Sequence, residues 1–147
     1  MSDAQASGHV GQSVVAVVVG IVAGVIPTLI TDAVLHKTGF FPPLGQPAAS
    51  GPLAVATAYR IVYSIFGSYV IARLAPIKPM QHALIGGMIG VIVSTAGAIA
   101  TWNQNLGPHW YPLALIVTAL PCAWTGGKLR VAQMRAASSP SYRGAMQ

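Results

Sequence analysis

Four long apolar segments divide the chain, and short segments rich in proline, glycine or charge separate them. The apolar segments span about 14–35, 53–74, 83–101 and 111–127. A helix needs about 20 apolar residues to cross a hydrocarbon core of about 30 Å, and each segment reaches or approaches that length. Their many β-branched residues do not indicate strands here, because lipid tolerates no open sheet edge. The pattern predicts an all-α transmembrane bundle of four helices, arranged in antiparallel up-down hairpins.

The connections between the segments support this arrangement. Residues 36–52 are rich in proline and glycine and predict a loop. Residues 75–81 are so few that helices two and three must form a hairpin. Residues 102–110 predict a polar turn. Pro27 and Pro121 fall inside helices, where the missing N–H predicts kinks.

The composition favours a lipid environment. Only 7% of the 147 residues are charged and 54% are hydrophobic, whereas an ordinary soluble domain carries about 25% charged residues. The length suits one domain. We predict a single transmembrane domain at 1–128, with a short cytoplasmic tail at 1–13, followed by a basic, flexible cytoplasmic tail at 129–147.

The cations lie at helix ends and not over one basic face, which argues against a nucleic-acid partner despite the net charge of +6. With four crossings, the amino terminus, the second connection and the carboxy terminus share one side of the membrane. The cations on that side are Arg73, Lys78, Lys128, Arg130, Arg135 and Arg143. The other side holds Lys37, and Arg60 if it faces outward. Because cytoplasmic helix ends carry the excess of lysine and arginine, we expect both termini in the cytoplasm.

Small residues recur at helical spacing on several predicted helices. Gly20 and Gly24 form a small-xxx-small pair in helix one. A row on helix three includes Gly87, Gly90, Ser94 and Gly97. Small side chains let helices approach closely, and close packing is the main attraction between helices in lipid. The row predicts either a compact bundle or the seam of a homodimer.

Aromatic residues stand at the predicted membrane boundaries. Trp102, Trp110 and Tyr111 fall at the outer edge, and Trp124 falls near the inner edge. Amphipathic rings favour the headgroup level of a bilayer. These four residues are therefore predicted to be interfacial anchors.

Asp32 and Arg60 are the two charged residues least expected inside apolar segments. The chain has two acidic residues, and the other, Asp3, precedes the first segment. Helix one ends outward and helix two begins outward, so Asp32 and Arg60 fall at similar depths toward the outer leaflet. Three interpretations stay open: separate snorkelling to the surface, a structural ion pair, or a polar pathway for a proton, ion or substrate. Tyr59, Tyr63, Thr28 and Thr31 would extend such a site.

The sequence predicts no enzymatic chemistry. It lacks a Walker loop, a Rossmann glycine fingerprint and a G-x-S-x-G elbow, and one intramembrane carboxylate cannot supply paired acid–base chemistry. Cys122, the one cysteine, suits a packing role. His36 and His109 with Asp32 match no ligand spacing for a metal. We therefore predict no catalytic residue, no cofactor and no metal site.

Three motifs carry a resemblance. They are Ala-Pro-x-x-Pro-Met-x-His-Ala-Leu at 75–84, Gly-Pro-His-Trp-Tyr-Pro at 107–112 and Gly-Gly-Lys-Leu-Arg at 126–130. The stretch 60–130 that contains them resembles small four-helix integral membrane proteins of bacteria that carry no assigned function. The resemblance implies a bacterial inner membrane and adds no catalytic residue. Small multidrug transporters match poorly, because they place a glutamate in the middle of helix one.

These observations predict a structural or accessory membrane protein. Its expected partners are the lipid bilayer and either a second copy of the chain or another membrane protein. The alternative is a small transporter or channel with Asp32 and Arg60 in a polar pathway. A water-filled cavity that touches both side chains favours the alternative, whereas a dry, packed bundle favours the accessory role.

Overall fold

The computed structural model describes residues 3–138, with side chains from His9 onward. The helices of this part of the chain are α1 (Asp3–Lys37), α2 (Ser50–Leu74), α3 (Pro79–Thr101) and α4 (Trp110–Ser138). All four contain a window long and apolar enough to cross a membrane, and no strand occurs between residues 3 and 138. The prediction of an all-α bundle of four helices is confirmed, and the chain is a multi-pass membrane protein.

The ends of α1 and α4 lie beyond the predicted spans. α1 begins at Asp3 and not near residue 14, and α4 continues past Gly127 to Ser138. Hydropathy marks only the part of a helix that crosses lipid. The extension of α4 is rich in Ala, Arg, Gln and Met, which are strong helix formers in water as well. The tail predicted from residue 129 therefore starts as helix, and residues 139–147 lie outside the described part of the chain.

The helices pack around α2. This helix contacts α1 and α4 over much of its length and α3 over a shorter region, and α3 packs mainly on α4. α1 and α3 touch only slightly. The order around the bundle is therefore α1, α2, α4, α3, with one side left open between α1 and α3.

Glycines make the closest contacts between helices. A Cβ at Gly67 of α2 would lie 2.7 Å from the carbonyl oxygen of Gly20 on α1, and a Cβ at Gly24 would lie 3.0 Å from the carbonyl oxygen of Tyr63. α4 packs on the other side of α2, where a Cβ at Gly126 of α4 would lie 2.6 Å from the carbonyl oxygen of Ile65 of α2. In lipid, such close backbone packing holds a bundle together.

The small-residue row of α3 faces the bundle only in part. A Cβ at Gly87 would contact Ala123 of α4 at 2.5 Å, and one at Gly90 would lie 3.7 Å from Ala119. Gly97 is exposed, and a Cβ added to it would have no neighbour within 4 Å. Its predicted packing role inside the bundle is therefore wrong. A row with a mean spacing of 3.5 residues drifts by about 20° per heptad on a helix of 3.6 residues per turn, which carries its later members away from α4.

The bundle has two distinct ends. The connections 38–49 and 102–109 meet at one of them, which we call the loop end, where the backbone N–H of Ala48 donates to the carbonyl oxygen of Leu106 at 2.8 Å. The connection 75–78 lies at the other, which we call the terminus end. The glycine contacts of α4 lie toward the terminus end, whereas Asp32 and Arg60 lie toward the loop end.

Candidate functional site

Asp32 and Arg60 form an ion pair between α1 and α2. Arg60 Nη2 donates a hydrogen bond to Asp32 Oδ2 at 2.7 Å. The side chains are 22% exposed for Asp32 and 31% for Arg60, so both are partly withdrawn from the surface. The two charges that the sequence placed at similar depths are thus in direct contact, as the ion-pair interpretation requires, and do not extend separately to the surface.

Aromatic hydroxyls and rings surround the pair. The hydroxyl of Tyr59 donates to Asp32 Oδ1, so both carboxylate oxygens accept a hydrogen bond. The hydroxyl oxygens of Tyr63 and Thr31 lie 3.1 Å apart, which adds a second polar contact between α1 and α2. The ring of Tyr111 lies 5.9 Å from the Arg60 guanidinium carbon, within the range of a cation–π contact.

Two cavities meet at this pair. The bundle cavity, of about 360 Å³, extends from Gly20 and Gly86 near the terminus end to Asp32 and Arg60. The loop-end cavity, of about 170 Å³, lies beneath the first connection and is also lined by Asp32 and Arg60. Among the described residues, only Asp32 and Arg60 line both cavities. The ion pair therefore forms the boundary between them.

The wall of the bundle cavity combines apolar and hydroxyl side chains. All four helices contribute to it, and its hydroxyl-bearing residues are Thr28, Tyr63, Ser64, Ser68, Ser94 and Thr118. Thr28 and Thr118 donate to carbonyl oxygens one turn back, at Gly24 and Ala114. Their oxygens remain available as acceptors. A solute in this space would meet hydrogen-bonding groups at several depths.

The first connection covers the loop-end cavity. Phe41 is buried and its ring lies 5.2 Å from that of His36, whose Nδ1 is 2.8 Å from the carbonyl oxygen of Asp32. Leu106 of the third connection and Tyr111 complete the wall. The loop-end cavity thus leads from the first connection to the ion pair.

The four predicted interfacial anchors differ in where their side chains lie. Trp102, Trp110 and Trp124 are 43%, 39% and 52% exposed, as anchors at a membrane surface would be. Tyr111 instead faces inward, over Arg60. Adjacent helix positions are separated by about 100°, and this rotation directs Tyr111 away from Trp110 and into the lining of the loop-end cavity. The assignment of Tyr111 as an anchor is therefore corrected, and it belongs to the site.

Two features were not predicted from the sequence. Gly126 and Gly127 pack against α2 and α3, a role that was not predicted from their position at the end of the fourth apolar segment. Cys122 and Ala123 precede them by four residues, and this small-xxx-small spacing was the signal that could have identified them. At the terminus end, Tyr69 of α2 donates to Gln133 of α4 at 2.8 Å, a contact that required the unpredicted extension of α4.

No group of three or more His, Cys, Asp or Glu side chains in the described part of the chain could hold a metal ion. His109 lies beside Trp102, at a ring separation of 4.4 Å, and takes no part in the ion-pair site. No protein-family model, curated protein or solved structure matches this chain.

Proposed function

We propose that this protein is a small transporter or channel in which Asp32 and Arg60 form a gate between two cavities. The observation that carries the proposal is that these two residues alone, among those described, line both cavities. A purely structural ion pair would be packed on all sides. An intramembrane charge pair with free space on both sides is instead typical of a pathway for ions or polar solutes.

The chemistry of the pair suits a gate. Each charge is neutralised by its partner, so the closed state avoids much of the cost of about 2.5–3.5 kcal/mol for an unpaired charge at the centre of a membrane helix. A solute that binds either Asp32 or Arg60 replaces one half of the pair and lets the side chains separate. The hydroxyl of Tyr59 holds Asp32 in place when the gate is closed.

Opening of the gate can be measured by thiol accessibility in nanodiscs. In a Cys122→Ala background, the thiol of Ser64→Cys lies in the bundle cavity beyond the gate. We expect Asp32→Asn to accelerate its reaction with a charged methanethiosulfonate about tenfold, which corresponds to about 1.4 kcal/mol in favour of the open state. Tyr59→Phe retains the ion pair and should give a smaller acceleration.

The control for this measurement is Gln46→Cys, which is exposed on the loop-end side of the gate and should react at the same rate in every background. In proteoliposomes with a trapped pH-sensitive dye, Asp32→Asn should also increase proton leak under a membrane potential. If the thiol of Ser64→Cys reacts equally in all backgrounds and no variant leaks protons, the gate does not exist.

The proposed setting is a bacterial inner membrane with the terminus end in the cytoplasm. Arg73 lies in the last turn of α2, Lys78 precedes α3, and Lys128 and Arg130 lie in the half of α4 nearer the terminus end. Positive charge favours the cytoplasmic side. We expect green fluorescent protein fused after Ser138 to fluoresce in a bacterial host. Alkaline phosphatase inserted after the exposed Leu44 should be active. If alkaline phosphatase were instead active when fused after Ser138 and inactive when inserted after Leu44, the terminus end would lie outside the cytoplasm.

A structural or accessory role is the second candidate. α1 contacts mainly α2, and its exposed apolar residues include Val15, Val18, Val22, Ile26 and Ile30. This surface suits lipid, a second copy of the chain or another membrane protein as its partner. Under both candidates the protein is proposed to act without catalysis, without a cofactor and without nucleic acid.

A further inference from the structure

The bundle cavity opens sideways toward the bilayer. It takes residues from both α1 and α3, the two helices that barely touch. At this opening, Val25 and Leu29 of α1 are 47% and 60% exposed, and Ile89 and Val93 of α3 are 37% and 65% exposed. Such side chains face acyl chains in a membrane. The opening therefore admits apolar molecules from the lipid and resists the entry of hydrated ions.

The cavity is elongated and polar at one end. Its lining extends along α1 from Gly20 to Asp32, a distance of about 18 Å at 1.5 Å per helical residue. Glycine and isoleucine line the far end, whereas charge is found only where Asp32 and Arg60 lie. A volume of about 360 Å³ is at the small end of ligand pockets, which span about 300–1,000 Å³. This shape fits one hydrocarbon chain with a single polar head.

The polar end holds more hydrogen-bond donors than acceptors. Both oxygens of Asp32 already accept a bond, from Tyr59 and Arg60. An arginine has five N–H donors, and Arg60 Nε is buried without a hydrogen-bond partner among the described residues. A ligand that brings acceptor oxygens would satisfy these donors. A cationic ligand would bring only further donors, leave Arg60 Nε without an acceptor, and compete with Arg60 for the same carboxylate.

We infer that the bundle cavity binds a single-chain amphiphile with an anionic head, of the fatty-acid class, that enters from the bilayer between α1 and α3. Its head contacts Arg60 in competition with Asp32, and its chain lies along Gly24 and Gly90. This inference rests on the proposed gate and names the substrate class of the same pathway. Binding of the head to Arg60 would loosen the ion pair and so open the boundary to the loop-end cavity.

Photo-crosslinking in nanodiscs of phosphatidylcholine tests the site. The probe is tetradecanoic acid with a diazirine in its chain, and mass spectrometry identifies the labelled peptides. The parent protein should show saturable labelling of cavity-lining peptides, which excess unlabelled tetradecanoate abolishes. Gly90→Leu should reduce this labelling about tenfold, a loss of about 1.4 kcal/mol in binding. A Cβ at Gly90 meets only Ala119, at 3.7 Å, so the added side chain can occupy the cavity without disturbing the helices.

The matched control lies on the same helix. Gly97→Leu adds an identical side chain at a position with nothing within 4 Å and should leave the saturable labelling unchanged. Ser94→Leu obstructs the cavity a turn nearer the loop end and provides a second blocking variant should Gly90→Leu fail to fold. Arg60→Gln should weaken labelling by the acid but not by the matching diazirine alcohol, because only the acid carries a charge.

Three results would overturn the inference. The first is the absence of saturable labelling, and the second is saturable labelling that neither Gly90→Leu nor Ser94→Leu reduces. The third is a dimer in nanodiscs that Gly90→Leu dissociates, because a second copy of the chain would then cover the opening. Accessibility of the thiol of Ser64→Cys is measured without any amphiphile. A gate that opens without saturable labelling therefore contradicts this substrate class and leaves the proposed gate intact.

Discussion

Gly126→Val is expected to destabilise the bundle more than any other single substitution of a small residue considered above. A Cβ at this position would lie 2.6 Å from the carbonyl oxygen of Ile65 and 2.7 Å from the backbone nitrogen of Tyr69. Both are main-chain atoms of α2, so no change of rotamer relieves the clash. Overpacking costs typically about 1–3 kcal/mol and occasionally more, and we expect at least about 3 kcal/mol because two helix backbones must separate.

The measurement is reversible unfolding in mixed micelles, followed by tryptophan fluorescence. Gly97→Val is the matched control, since it adds the same side chain to an exposed position without neighbours and should change the unfolding free energy by less than about 0.5 kcal/mol. A loss at Gly126 no larger than the loss at Gly97 would show that α2 and α4 do not pack through this glycine. Gly87→Ala should be milder than Gly126→Val, because it adds a single methyl group that would approach only one atom closer than 3.0 Å, the Cβ of Ala123.

The helices could be predicted from the sequence because the bilayer reduces the problem to length and hydropathy. A run of about 20 apolar residues in lipid forms a helix, because a helix satisfies all of its backbone hydrogen bonds within the segment. The ends of α1 and α4 could not be found this way. The residues beyond the apolar segments, such as 130–138 of α4, are helical through intrinsic propensity and through contacts such as that between Tyr69 and Gln133.

The ion pair could be anticipated in part. Counting residues from the ends of helices one and two placed Asp32 and Arg60 at one depth, but depth leaves the angular position of each side chain open. Their contact depends on which faces of α1 and α2 meet, and this is determined by the close approach of Gly20 and Gly67. The cavities depend on a further feature, the gap between α1 and α3, which no local pattern encodes.

Removal of either member of the Asp32–Arg60 pair is expected to destabilise the bundle by about 2 kcal/mol, and removal of both by less than the sum. An unpaired charge at the centre of a membrane helix costs about 2.5–3.5 kcal/mol. The pair lies toward one end of the bundle and its side chains are 22% and 31% exposed, so we expect a loss somewhat below that range. Asp32→Asn should cost more than Arg60→Gln, because an isolated carboxylate can take up a proton whereas a guanidinium stays charged.

A double-mutant cycle isolates the interaction. The variants Asp32→Asn, Arg60→Gln and their combination are unfolded in the same micelles, and the coupling energy is expected to be about 1–2 kcal/mol, within the range of about 0.5–3 kcal/mol for residues in contact. Lys37→Gln combined with Asp32→Asn is the control and should be additive, since no ion pair joins Lys37 to Asp32 in the described part of the chain. Strictly additive losses for Asp32 and Arg60 would refute the pair. Because the double variant removes both charges and is expected to be little less stable than either single variant, it should leave the thiol of Ser64→Cys accessible in a folded protein, which separates the gate from its contribution to folding.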